Sequence, residues 1–202
     1  MWNAPSAFSR NRAQSDHNIP QNFQLGVVYE LPLGPEKKWA TSGASAAILG
    51  GWQMNGVFSA YEGRPFTVFA SDASLNMPGN AQTADQVKPD VEIFGKIGDA
   101  GTYFDTSAFA RVTDVRFGNT GRNILRGPGV VNLDLSLFRT FRLTDKFQLQ
   151  VRAEAFNVTN TPHFANPDSD ANSSDFGKIL STNEDDALSR SRAFRFGVRL
   201  NF

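Results

Sequence analysis

The feature that most constrains this chain is a period-two alternation of apolar and polar residues, repeated in four separate segments. Along 23–31 the odd positions are Phe23, Leu25, Val27, Tyr29 and Leu31, with Gln24, Gly26, Val28 and Glu30 between them. Along 131–141 they are Val131, Leu133, Leu135, Leu137, Arg139 and Phe141, and along 147–155 Phe147, Leu149, Val151, Ala153 and Ala155. In 194–202 the even positions carry the stripe, as Phe194, Phe196, Val198, Leu200 and Phe202. Over the four segments one face is apolar at 20 of 21 positions and the other at 2 of 17. Successive side chains of a strand point to opposite faces, so this separation specifies strands with one apolar and one wet face. A fifth strand is expected over 51–62, where Trp52, Met54, Phe58 and Ala60 share a face with Gly56, with a continuation past Gly63-Arg64-Pro65 into Phe66-Thr67-Val68-Phe69.

The connections between these strands are uneven. Leu143-Thr144-Asp145-Lys146 reads as a tight turn, with Asp145 suited to it. The connection from Asn157 to about Ala193 exceeds thirty residues, and the one from Ser71 to Gly129 is longer still and rich in Gly, Pro, Asn and Asp. Connections in compact soluble domains have a median of ~4–6 residues, whereas outer-membrane barrels put short turns at one rim and long loops at the other. No run approaches the ~18 apolar residues of a membrane helix, and Met1-Trp2-Asn3-Ala4-Pro5 lacks the basic-then-apolar pattern of a signal peptide. With 20 basic and 20 acidic residues, the chain has no electrostatic footprint of a nucleic-acid binder. Zero cysteines exclude disulfide scaffolds, Cys-ligated zinc and thiol nucleophiles.

Alternation alone fits a soluble β-sandwich as well as a membrane barrel. Three features favour the barrel. The stripes run to nine or eleven residues, the length a tilted strand needs to cross a bilayer. Aromatics sit at strand ends, with Phe141, Phe147 and Phe202 toward one rim and Phe23, Phe156 and Phe194 toward the other, as in interfacial girdles. The last strand ends on Phe202 with no polar residue after it. The wet face would then line a lumen, carrying Asp134, Arg152, Glu154, Arg195 and Arg199, where neighbouring strands can pair opposite charges.

Longer motifs carry a resemblance. Gly118-Asn119-Thr120-Gly121-Arg122-Asn123-Ile124-Leu125-Arg126-Gly127-Pro128-Gly129, then Asn132-Leu133-Asp134-Leu135-Ser136, then Arg152-Ala153-Glu154-Ala155-Phe156-Asn157 and the closing FRFGVRLNF form one series. Together with GGWQMNGVFSAYEGRPF at 50–66 and Phe104-Asp105-Thr106-Ser107-Ala108-Phe109, this series resembles the C-terminal end of Oar-like TonB-dependent transporters, of the type carrying a carboxypeptidase-regulatory-like domain. The resemblance covers nearly all of the chain from about Asn18 onward. It implies a 22-stranded barrel filled by an N-terminal plug and energised by TonB. The fold class expected is therefore all-β: about five antiparallel transmembrane strands, an incomplete part of a larger barrel over 1–202. If Phe202 ends at the periplasmic side, residues 1–20, 71–129 and 158–193 fall in extracellular loops and an earlier strand precedes residue 1. A truncated reading frame or excerpt of a longer protein is the expectation.

The implied partners are outer-membrane lipid, the barrel assembly machinery, the plug and through it TonB, and a transported ligand that loop residues alone do not name. No cofactor, metal or catalytic group is expected. His17 and His163 stand 146 residues apart in polar loops. Gly118, Gly121, Gly127 and Gly129 do not bridge a strand and a helix as a phosphate cradle requires, and suit a loop entering a strand. The acidic cluster at 168–186 departs from the twelve-residue calcium loop. Two other readings remain open: a small self-contained outer-membrane barrel of structural or adhesive role, and a soluble β-sandwich binding module. Phe194, Phe196, Val198, Leu200 and Phe202 form the expected outer-membrane assembly signal. Deleting Phe202 from the full-length protein should therefore lower its amount in isolated outer membranes; unchanged levels would contradict that role.

Overall fold

The computed structural model describes residues 5–70, 82–183 and 191–202. Parts of the expected loops, including Glu184, Asp185 and Asp186, lie outside the described residues. Nine strands occur among those described: β1 (Asn22–Glu30), β2 (Trp52–Tyr61), β3 (Pro65–Phe66), β4 (Asp85–Gln86), β5 (Phe109–Ala110), β6 (Leu125–Arg126), β7 (Val130–Arg142), β8 (Gln148–Phe156) and β9 (Ala193–Asn201). Among the same residues one α-helix, α1 (Gly43–Leu49), lies between β1 and β2. The chain divides into two compact units, a strand unit of 23–60, 131–162 and 186–202 and a loop unit of 1–22, 61–130 and 163–185.

The strand unit is one antiparallel sheet in the order β1-β2-β7-β8-β9, so each long strand lies beside the next long strand in the chain. Its five strands coincide within a residue or so with the five read from the alternation. Register fixes which residues share a row. Leu135 lies opposite Ala155 and that opposite Phe194; the following rows are Leu137, Ala153 and Phe196, then Arg139, Val151 and Val198, then Phe141, Leu149 and Leu200. Between them run polar rows: Ser136, Glu154 and Arg195; Phe138, Arg152 and Gly197; Thr140, Gln150 and Arg199. Nine to thirteen residues per strand in β7 to β9 meet the length a tilted transmembrane strand needs.

The turn between β7 and β8 is closed by Thr144, not by Asp145. Leu143 N and Thr144 N both donate to Phe147 O, at 2.9 and 3.2 Å, while Thr144 Oγ1 accepts from Lys146 N and Phe147 N. A threonine hydroxyl bonding backbone two and three residues ahead does the work of an aspartate in such a turn. Before β2, Trp52 Nε1 donates to Ile48 O at 3.1 Å, tying the strand start to α1.

The expected continuation of β2 into 66–69 does not occur. β2 ends at Tyr61, and Pro65 and Phe66 form the separate β3, paired with Arg126 and Leu125 of β6. The break is physical. A Cβ on Gly63 would stand 1.9 Å from Gly127 O, so the chain turns where only glycine lets two backbones meet so closely.

The loop unit has a core of its own. Phe104 is fully buried and meets Phe109 and Phe176 edge-on, at centroid distances of 5.8 and 5.4 Å, and Phe66 at a tilt. Val68, Ala70, Ala84, Tyr103, Ala108, Leu125 and Ile179 complete the buried part of this cluster, with Phe164 packed against it. Five of the chain's 18 Phe thus serve this core instead of a lipid face. The β4–β5 pair and the bridges Phe69–Thr83 and Phe69–Asp170 cross-link the segments around it. Long loops with a packed aromatic centre need no extended secondary structure to hold one conformation. Phe104→Ala should destabilise this unit by about 3–5 kcal/mol. Limited proteolysis is expected to cut 82–129 and 163–183 markedly faster in the variant while β7 to β9 stay protected; equal cleavage rates would contradict a core role for Phe104.

Candidate functional site

The polar face of the sheet gathers four of the five charged residues expected to line a lumen. Glu154 is the hub: Arg195 Nε donates to its Oε2 at 2.5 Å, and Arg152 approaches its Oε1 at 3.7 Å. The cross-strand pair Glu154–Arg195 is set by the β8–β9 register, which places the two directly opposite. Both arginines also lie over rings of the same face, Arg152 over Phe138 at 5.8 Å and Arg195 over Phe156 at 5.2 Å. Pairs made with solvent-exposed arginines add little to stability, so their main effect is to fix where the charges stand. Gly197, opposite Arg152, leaves a notch in the wall. The resulting depression of about 230 Å³ is lined by Gln150, Arg152, Glu154, Arg195 and Arg199. Three guanidinium groups against one carboxylate leave an excess of positive charge. Among the described residues Arg199 makes no ion pair, and a cation so placed suits an anionic partner group.

Asp134 does not join this cluster. Its Oδ1 accepts from Asn132 Nδ2 at 3.0 Å and from Asn157 N at 2.7 Å. Asn157 takes a left-handed conformation, φ 47°, and clasps Thr161 through both ends of its amide. Asp134 therefore anchors the exit from β8. Phe194, Phe196, Val198, Leu200 and Phe202 all sit exposed along β9 and its end, with Phe196 at 78%.

The GNTGRN…RGPG segment, read from sequence as a loop entering a strand, organises the loop unit. A Cβ on Gly118 would stand 1.9 Å from Thr83 O, so this glycine lets two backbones touch. Asn119 pairs with Gln86 as a strand would, its Oδ1 accepting from Gln86 N at 2.6 Å and its Nδ2 donating to Gln86 O at 3.2 Å. Asn123, at φ 54°, donates from Nδ2 to Gln14 O and Asp16 Oδ1, and its Oδ1 accepts from Thr67. Arg122 binds Asp16 at 2.7 Å, and Arg126 binds Asn18 O, Asn18 Oδ1 and Gly63 O. The signal for these roles is the density of Asn, Gly and Arg in a stretch without periodicity.

His163 is buried and its carbonyl accepts from Asn183 N, so it belongs to the interior of the loop unit and not to a polar surface; His17 lies exposed. The carboxylates at 168–175 serve turns: Asp168 accepts from Asp170 N, Asp170 from Asn172 N, and Asp175 pairs with Lys178 at 2.9 Å. Among the described residues no group of three or more His, Cys, Asp or Glu side chains could hold a metal ion.

A sandwich and a barrel differ in what lies outside the apolar face. A sandwich buries this face against a second sheet. Here Phe194 is 62% exposed, Val198 71% and Phe23 57%, and the aromatic core clusters contain none of these residues. Exposed apolar stripes of this kind are a feature of sheets that face lipid. In agreement, residues 2–195 match the family described as outer membrane beta barrel domain. The chain belongs to that family. Membership places this barrel-domain protein in the outer membrane of a Gram-negative bacterium. No curated protein and no solved structure matches it.

Asp85 gives the loop unit of this barrel-domain protein a pH dependence. Arg116 grips its carboxylate with both terminal nitrogens, at 2.8 and 2.6 Å, and Asn119 N donates to it at 3.0 Å. The Arg116 bonds, aided by Asn119 N, outweigh partial burial and hold Asp85 below the usual carboxylate range. A depressed folded-state value contributes stability that is complete above the unfolded pKa, near ~3.9, and is lost as pH falls through the folded one. Hydrogen exchange of 82–120 should therefore accelerate between pH 6 and pH 3, beyond its intrinsic pH dependence, more in the wild type than in Asp85→Asn. Equal acceleration in the two would contradict the assignment.

Proposed function

We propose that the chain supplies part of the wall, the lumen charges and the ligand-facing loops of a TonB-dependent active transporter. The observation that carries this reading is the topology of the sheet: β1 and β9 are its two ends and are exposed along their whole length. A bilayer offers no water to satisfy the N–H and C=O groups of a strand edge, so a transmembrane sheet closes, and closed bacterial barrels take at least ~8 strands. Further strands of the same protein would close it. The resemblance of GNTGRN…RGPG and RAEAFN to Oar-like transporters supports the identity of that larger barrel.

In this account residues 1–20, 71–129 and 158–193 are extracellular loops and the turn at 143–146 is periplasmic. Arg152, Glu154, Arg195 and Arg199 face the lumen, where they meet the N-terminal plug or the ligand. Asp134 faces it at the loop rim, holding Asn157. TonB acts on that plug, and the barrel assembly machinery reads the Phe194-to-Phe202 stripe. The loop unit, with its own core, presents a preformed surface to the ligand, which lowers the entropy lost on capture.

The test is twofold. The genomic sequence upstream of codon 1 should continue in frame through a plug domain; a stop codon and promoter directly upstream would overturn the reading. The isolated 202-residue chain, refolded in detergent, should migrate identically heated and unheated on a denaturing gel. Faster migration before heating would mean that it closes alone, as a small self-contained barrel does.

A further inference from the structure

Arg139 is the single departure from the apolar stripes, and its surroundings give it a use. It stands in the row Arg139, Val151, Val198, one row from Phe141, Leu149 and Leu200, after which β7 turns at Leu143. At ~3.4 Å per residue its Cα lies roughly 14 Å along the strand from that turn, within reach of the rim for a side chain that extends its charge toward the headgroups. A charge on a lipid-facing strand is costly at mid-bilayer and nearly free at the interface. The guanidinium sits 4.2 Å above the Phe141 ring, and its NH1 donates to Ile48 O at 2.8 Å. That bond uses one of five N–H donors. Among the described residues no carboxylate pairs with Arg139.

Directly beside it, on the side away from the turn, the apolar face is hollowed. Ala153 and Ala155 on the middle strand are short, while Leu135 and Leu137 on one side and Phe194 and Phe196 on the other stand taller. They enclose an open groove of about 380 Å³ with almost no polar surface. The groove begins one row from Arg139, about 7 Å along the strand, and leads toward the middle of the span. A cation at the rim end of an apolar furrow complements a molecule with an anionic head and a hydrocarbon tail.

We propose that Arg139 and this groove bind one anionic glycerophospholipid of the periplasmic leaflet, its phosphodiester at the guanidinium and an acyl chain along Ala153 and Ala155. The inference rests on the reading that the tight turn is periplasmic and the apolar face meets lipid. Free phosphate would lack the groove, and a zwitterionic lipid would lack the net charge.

The full-length protein, extracted from outer membranes in mild detergent, can be equilibrated with dioleoylphosphatidylglycerol or dioleoylphosphatidylcholine and its retained lipid counted by native mass spectrometry. Wild type should retain phosphatidylglycerol at least about fivefold more than phosphatidylcholine. Arg139→Gln, which removes the charge, and Ala153→Leu, which fills the groove, should each lower phosphatidylglycerol retention about fivefold. Arg142→Gln, on the opposite face near the same rim, should leave it unchanged. Equal retention by Arg139→Gln and wild type, or displacement of the lipid by inorganic phosphate at matched concentration, would overturn the site while leaving the barrel intact. Failure to find the protein in outer membranes at all would overturn the barrel reading and the site together.

Discussion

Everything in the strand unit depends on the register of β7, β8 and β9. That register sets Ala153 between Leu137 and Phe196 on one face and Glu154 between Ser136 and Arg195 on the other. A slip by one residue in β9 would send Arg195 and Arg199 to the lipid and Phe194 and Phe196 to the wet side. In a bilayer such a slip costs the burial of charges as well as the exposure of apolar surface, so lipid specifies the pairing more stringently than a protein core would. The Thr144-closed turn fixes the β7–β8 half of the register locally, whereas β8 and β9 are joined only through the long 157–192 connection. For that second half the face separation and the Glu154–Arg195 pair supply the specificity.

The loop unit obeys a different economy. Its backbone cannot rely on long ladders, so short pairs, side-chain amides and one bidentate ion pair satisfy its polar groups. Asn119 substitutes for a strand beside Gln86, and Arg126 collects the carbonyls of Asn18 and Gly63. Phe104 and its ring neighbours bury the apolar surface that five separate stretches of chain contribute. Exposed positions on such a unit can vary without disturbing its interior.

How legible each part was in the sequence follows from these two economies. The five long strands were readable because period two persists over nine or more residues in each, and a bare face leaves no competing partner. The charged residues of the polar face could be assigned to one side by parity alone, but parity does not say what a side chain touches. Asp134 has the right parity and yet serves Asn157 at the strand exit. The loop core was hidden because Phe66, Phe104, Phe109, Phe164 and Phe176 recur at no fixed spacing and meet only after long connections fold back. Likewise the burial of His163 and the roles of Asn119 and Asn123 depend on backbone paths that no local pattern encodes. The expected extension beyond Gly63 failed because composition favoured a strand while a backbone contact at Gly127 forced a turn.

The central claim is that odd positions of β8 face lipid and even positions face water. The chain has no cysteine, so single cysteines introduced in turn along Gln148–Phe156 can each carry one nitroxide label. With the full-length protein in lipid vesicles, collision rates with apolar oxygen and with a polar nickel chelate report the surroundings of every position. The account predicts oxygen maxima at 149, 151, 153 and 155 and nickel maxima at 148, 150, 152 and 154. Odd positions shielded from both reagents would contradict it, because a face so protected is packed against protein.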